Sequence, residues 1–146
     1  KNLNTEKYQD LCDKIIERGQ YAHWRQTYKG TAVSSHFLSH FGCYCLIGVS
    51  GPYNSNSMRA WIVYMPSKLY YPWHQHPAEE LYFCLAGEAT FKADGKDDMI
   101  LCEGGVSEHN SNQPHAMQTD EKPVLAYVIW RNGFDVLPEL THDDAK

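Results

Sequence analysis

From Met58 to Trp130 the chain is cut into short apolar or aromatic runs with Gly, Asp and Pro standing between them. The runs are "MRAWIVYM", "LYYPWH", "EELYFCLAG", "EATFKADG", "DDMILCEGG" and "AMQTDEKPVLAYVIW". Regular strand-length runs with turn residues between them predict an antiparallel sandwich or barrel. Asp94-Gly95, inside "KADGKDD", lies between two of the runs and predicts a hairpin.

Upstream the texture is different. In "NTEKYQDLCDKIIERG", Tyr8, Leu11, Cys12, Ile15 and Ile16 recur at steps of three and four, the period of a helix. Asn4 or Thr5 can cap its start and Gly19 can end it. A weaker helical piece is expected in "SSHFLSHFGCYCLIG", before a loop "SGPYNSNS" that opens on the breaker Gly51-Pro52. The predicted plan is a helical lead-in over residues 1–50, packed on a barrel over residues 51–140. A frayed tail, "THDDAK", follows over residues 141–146. At 146 residues the chain supports one core rather than two. The lead-in helix is expected to cover a barrel face or to help build a homodimer.

Charge and cysteine usage narrow the partners. The net charge is -5 and no block of Lys or Arg is present, which argues against a nucleic-acid partner. No apolar run approaches the roughly 20 residues of a membrane-spanning helix. The five cysteines are odd in number, and Cys84 and Cys102 fall in apolar runs. Buried free thiols in a reducing compartment, the cytoplasm, are therefore expected rather than disulfides. Cys43-x-Cys45 is too closely spaced for a redox pair and has no second pair to complete a zinc knuckle, so it reads as core. No secretory signal is visible, and the opening on Lys1 rather than Met leaves room for a preceding segment.

The run "YYPWHQHPAEELYFCLAGE" carries a polar cluster that a strand does not need for folding. His74 and His76 are two apart, so a strand turns both to one face, and Glu80 and Tyr82 keep the same parity. Pro77 can disturb the ladder between them. Imidazole and carboxylate together suit one divalent transition metal, of the series Mn, Fe, Co, Ni and Zn. His115, in "SNQPHAMQT", is the candidate for a further ligand. The blander alternative, a solvated face of an edge strand, leaves the flanking aromatic residues unexplained. His109 is expected either to bond the backbone or to orient a ligand. His23, His36, His40 and His142 read as surface or hydrogen-bonded residues.

The spacing His74-x-His76-x3-Glu80-x6-Gly87, with Pro114-His115 downstream, resembles the two motifs of the cupins. That resemblance implies an all-β cupin barrel, a double-stranded β-helix or jelly roll, here with an N-terminal helical segment. Two positions depart from it: Lys68 stands where the general motif has Gly, and Thr119 where an Asn often follows the second-motif histidine. Over about residues 58 to 134, "YYPWHQHPAEELYFCLAGEATF", "HNSNQPHAMQT" and "PVLAYVIWRNG" are similar to the bacterial cupin-type dimethylsulfoniopropionate (DMSP) lyases, especially the DddL-like branch.

That similarity implies a carbon–sulfur lyase acting on a small zwitterionic sulfonium substrate, with a β-elimination to dimethyl sulfide and acrylate. It implies metal ligation by His74, His76, Glu80 and His115, and makes Tyr82 the base that removes the alpha proton. Tyr82 has two other readings, as a metal ligand or as a buried ring whose hydroxyl caps Glu80. The resemblance gives Tyr71 a hydrogen bond to the substrate carboxylate and makes Trp130 a pocket wall. Trp61, Tyr64, Trp73 and Tyr127 are further candidates for a cage around the sulfonium, although aromatic residues in a small barrel are more often core. Fold alone does not settle the reaction. A cupin dioxygenase or isomerase acting on a small carboxylate, and a non-catalytic ligand-binding cupin, remain the alternatives.

Overall fold

The structure is a computed structural model that describes residues 3–141. His142 and the rest of the expected tail lie outside the described residues. Two helices, α1 (Gln9–Gly19) and α2 (Ser35–His40), precede the nine strands of the described residues. The strands are β1 (Gly42–Ile47), β2 (Arg59–Met65), β3 (Tyr70–Gln75), β4 (Glu79–Ala93), β5 (Met99–Cys102), β6 (Val106–His109), β7 (His115–Gln118), β8 (Val124–Arg131) and β9 (Glu139–Leu140).

All strand pairings are antiparallel, and β4 belongs to two sheets. Its first half joins the order β1-β2-β8-β4-β6, and its second half joins β9-β3-β7-β4-β5. The passage from one sheet to the other is marked by a register shift between Cys84 and Ala86 and by Gly87 at φ 78°. A Cβ on Gly87 would run into the carbonyl oxygen of Pro123, so this position needs glycine for space as well as for its left-handed backbone. The expected hairpin is present: Gly95 has φ 76° and Lys96 N–H donates to the Ala93 carbonyl at 3.0 Å, joining β4 to β5.

Strand alternation sorts the side chains into two clusters. Trp61, Val63 and Met65 of β2 face the barrel interior with Ala126, Val128 and Trp130 of β8. Ile62, Tyr64, Leu125 and Tyr127 face outward, under α1. The helix covers that face with Tyr8, Cys12 and Ile15, whereas Leu11 and Ile16 stay exposed. Helix α1 starts later than Asn4 or Thr5. Thr5 Oγ1 instead accepts from Tyr8 N–H at 3.1 Å, and the Glu103 carboxylate accepts from the N–H groups of Glu6 and Lys7, both at 2.8 Å.

The second helical piece is shorter than expected. It ends at His40, where Phe41 turns extended, and Gly42–Ile47 is a strand paired with β2. The period-two pattern of "GCYCLI" accounts for this: Cys43 and Cys45 face the interior and Tyr44 faces α1, so the Cys-x-Cys pair is core. All five cysteines are free, but Cys102 is exposed rather than buried, because β5 turns Leu101 inward and its neighbour outward. Both departures from the general motif are accommodated. Lys68 takes a left-handed conformation at φ 61°, and Thr119 Oγ1 donates to Pro66 O at 2.6 Å while accepting from Leu69 N–H at 3.0 Å. Among the described residues no helix is long and apolar enough to cross a membrane.

Candidate metal centre

The polar cluster lies on the inner face, although it spans a bend rather than a single strand. Residues 76–78 separate β3 from β4, yet His74, His76, Ala78, Glu80 and Tyr82 are all buried while the residues between them are not. Pro77 therefore interrupts the ladder without disturbing the alternation. A register shift between Tyr71 and His74 has the opposite effect: it brings an odd-numbered residue onto the even-numbered face. Tyr71 consequently stacks on the imidazole of His74, with ring centroids 4.1 Å apart and an interplanar angle of 9°.

Three imidazoles are aimed by the backbone. Nδ1 of His74 lies 2.7 Å from Pro72 O, Nδ1 of His76 lies 3.0 Å from Ala78 O, and Nδ1 of His115 lies 2.8 Å from Gln113 O. A carbonyl oxygen only accepts, so each Nδ1 carries a proton, and the atom left to each ring for binding a metal is Nε2. A ring nitrogen from each of the three lies within 4.8 Å of the others. Nε2 of His76 and Nε2 of His115 are buried and have no hydrogen-bond partner. They approach the Glu80 carboxylate at 3.4 Å and 3.0 Å without hydrogen-bond geometry. Buried Nε2 atoms without hydrogen-bond partners, gathered around a carboxylate, form a donor set that fits a divalent transition metal.

Glu80 is itself held from both sides. Its register partners are His109 on β6 and Trp130 on β8. His109 Nδ1 donates to Oε2 at 2.8 Å and Trp130 Nε1 donates to Oε1 at 2.6 Å. With Nδ1 so engaged, neutral His109 accepts at Nε2 from the Ser107 hydroxyl, 3.1 Å away. His109 thus orients a candidate ligand, as support around metal sites commonly does. Burial pushes Glu80 up, but the neighbouring His115 and the hydrogen bonds around the carboxylate outweigh it and hold Glu80 well below the usual carboxylate range. Burial lowers the pKa of His74 and His109, which keeps both neutral at neutral pH.

Beside Glu80 a cavity of about 30 Å³ is lined by Tyr71, Tyr82, Trp61 and Trp130, with Arg25 among the residues at its edge. Burial raises the pKa of the Tyr71 and Tyr82 hydroxyls well above the usual phenol value. Glu80 has its hydrogen bonds from His109 and Trp130, and none comes from Tyr82, so Tyr82 does not cap it. Tyr64 and Tyr127 are not part of this cavity. Strand parity sends them outward beneath α1, with Ile62 and Leu125, away from the residues that line this cavity. Trp73 does not line the cavity either.

His36 and His40 form an exposed ring pair on α2, 4.3 Å apart, and His23 lines an outer cleft of about 380 Å³. Arg25, Trp61 and Trp130 border both that cleft and the inner cavity, and the Arg25 guanidinium sits 4.5 Å from the Trp61 ring centroid. Arg25 could not be found from sequence, because its segment has no periodicity. Trp61, a candidate from the sequence, does line the cavity, its parity with Val63 and Met65 turning it inward.

A family profile for dimethylsulfoniopropionate lyase matches residues 2–126. The dimethylsulfoniopropionate lyase DddQ of Ruegeria pomeroyi is 45% identical over 145 residues, covering 99% of this chain and 72% of that protein. The crystal structure of that lyase superposes with a TM-score of 0.95, covering 99% of this chain and 74% of the other. A structure from work on the DMSP lyases RdDddP and RnDddQII is 33% identical with a TM-score of 0.91, covering 97% and 73%. A cupin-like protein of Thermotoga maritima, 18% identical with a TM-score of 0.63 over 78% of this chain and 86% of its own, shares the fold alone. The barrel is therefore of the cupin type. The relatives are of the DddQ kind, which corrects the expected DddL-like branch.

Proposed function

The chain belongs to the dimethylsulfoniopropionate lyase family and is a carbon–sulfur lyase, and on that premise we propose that it cleaves DMSP by β-elimination. The observation that carries this reading is the set of three backbone-aimed histidines gathered with buried Glu80, which itself lines a small aromatic cavity.

In the reaction the proton on the carbon beside the carboxylate passes to a base. The electrons of that C–H bond form the carbon–carbon double bond of acrylate, and the carbon–sulfur pair leaves on neutral dimethyl sulfide. We assign the base to the hydroxyl oxygen of Tyr82, which lines the cavity with Glu80. Burial alone keeps this phenol protonated at neutral pH, so it accepts a proton only where a nearby positive charge favours the phenolate. A divalent transition metal (Mn, Fe, Co, Ni or Zn) held by His74, His76, Glu80 and His115 would supply that charge and would also draw charge from the substrate carboxylate. Tyr71 donates to the carboxylate from the cavity wall. The rings of Trp130 and Tyr82 present faces to the sulfonium, attracting the cation without the desolvation cost of a second carboxylate. Five free thiols suit a reducing compartment, and the cytoplasm is the proposed location.

The test is headspace gas analysis of purified protein supplied with DMSP and, separately, each of the five metals. Dimethyl sulfide is expected with at least one of them. Its absence with all five sinks the proposal.

A further inference from the structure

Tyr28 lies between α1 and α2 and is almost fully buried. Its ring meets those of Phe37, Tyr71 and His74 edge-on, at centroid distances of 6.1, 5.7 and 6.2 Å. Its hydroxyl oxygen is 2.8 Å from that of Tyr71, and geometry alone allows either to be the donor. The surroundings decide between them. Tyr71 lines the cavity beside Glu80 and Tyr82, whereas Tyr28 does not. Among the described residues, Tyr71 is the sole hydrogen-bond partner of the Tyr28 hydroxyl. If Tyr71 donated, the proton of Tyr28 would be buried with no acceptor, and an unmet buried donor bears its full desolvation penalty. If Tyr28 donates, its own proton is met, and the proton of Tyr71 is left for an acceptor bound in the cavity that Tyr71 lines.

We infer that Tyr28 is a positioning residue that fixes Tyr71 as a hydrogen-bond donor to a small carboxylate bound in the cavity. The chain of donation runs from Tyr28 to Tyr71 to the carboxylate, and each bond polarises the next. This rests on the proposed DMSP reading for the identity of the carboxylate, and acrylate serves as the probe.

Tyr28→Phe keeps the buried ring and removes only the hydroxyl. With zinc-loaded protein, isothermal titration with acrylate should show dissociation weakened about fivefold, the scale of one neutral hydrogen bond. The KM for DMSP should rise by more than kcat falls, with metal content unchanged. Tyr28→Phe combined with Tyr71→Phe should bind acrylate no more weakly than Tyr71→Phe alone, because the first hydroxyl acts only through the second. Wild-type acrylate binding in Tyr28→Phe, or additive losses in the double variant, would overturn the inference. Should the variant not fold, hydroxyl proton resonances of the unmodified zinc-loaded protein replace it. The Tyr71 proton should then shift on adding acrylate while the Tyr28 proton stays protected, and a Tyr71 proton that acrylate does not move overturns the inference. Dimethyl sulfide release by the unaltered protein, measured alongside, separates a failure of this inference from a failure of the proposed function.

Discussion

Trp130 and Glu80 sit directly opposite each other on adjacent strands, and the indole N–H of one ends on Oε1 of the other at 2.6 Å. The contact assigns the tryptophan a task that its aromatic bulk does not reveal. It fixes the plane of a carboxylate whose second oxygen is held from the opposite strand by His109.

Trp130→Phe keeps a ring at the cavity wall and removes the N–H. Loss of such a supporting bond typically weakens metal binding by about 10–100-fold. Competition with a chelator of known affinity measures it. Unchanged affinity would show that Glu80 is oriented without Trp130.

Tyr82→Phe should retain the fold and bound metal, because no hydrogen bond of the candidate ligands passes through this hydroxyl. Dimethyl sulfide release should fall to background. Metal analysis together with headspace gas analysis checks both halves, and retained turnover removes Tyr82 as the base.

Acid should destabilise the metal-free protein in two stages. His74 and His109 have folded pKa values below the ordinary 6.5, so below that pH the unfolded chain takes up protons first and stability falls. Glu80, held below the ordinary 4.5, adds a second loss as the pH drops under that value. Above 6.5 these groups contribute no slope. Thermal melts in chelator from pH 8 to pH 4 test the sign, and a melting temperature that rises between pH 7 and pH 5.5 would contradict it.

Lys68→Gly should stabilise the fold. A left-handed backbone costs a residue with a Cβ roughly 1 kcal/mol or more, and glycine bears no such cost. The ion pair that Lys68 makes with Glu121 joins two well-exposed side chains and offsets little of that gain. A higher urea midpoint with an unchanged slope is the expected result.

Gly87→Ala should do the reverse, by about 2–3 kcal/mol, since it adds a left-handed strain to a clash with a main-chain carbonyl. Where β4 passes between sheets the chain has no slack to move aside. A fall in melting temperature with loss of bound metal checks this, and a neutral effect would mean that the crossing can shift.

Much of the barrel and the inward cluster was legible in the sequence because both rest on a period of two, which needs no tertiary information. The alternation from His74 to Tyr82 even survives the bend at Pro77. What was not legible depends on departures from that period or on contacts across strands. The shift between Tyr71 and His74 cannot be seen without the partner strand, and the support of Glu80 by Trp130 and His109 depends on register. Tyr64 and Tyr127 show the same limit, because composition marks them as aromatic while only the pairing shows which side they face. The helical reading of "SSHFLSHFGCYCLIG" also ran on through β1, where pairing with β2 prevailed.

The carbonyls that aim His74, His76 and His115 belong to residues two positions away along the same stretch of chain. Every amino acid has that oxygen, so no single substitution can delete it. Heritable variation can therefore retune this centre mainly from the Glu80 side, where His109 and Trp130 are side chains that mutation can replace. The aim of the imidazoles is thus written into the main chain, and that of the carboxylate into two side chains.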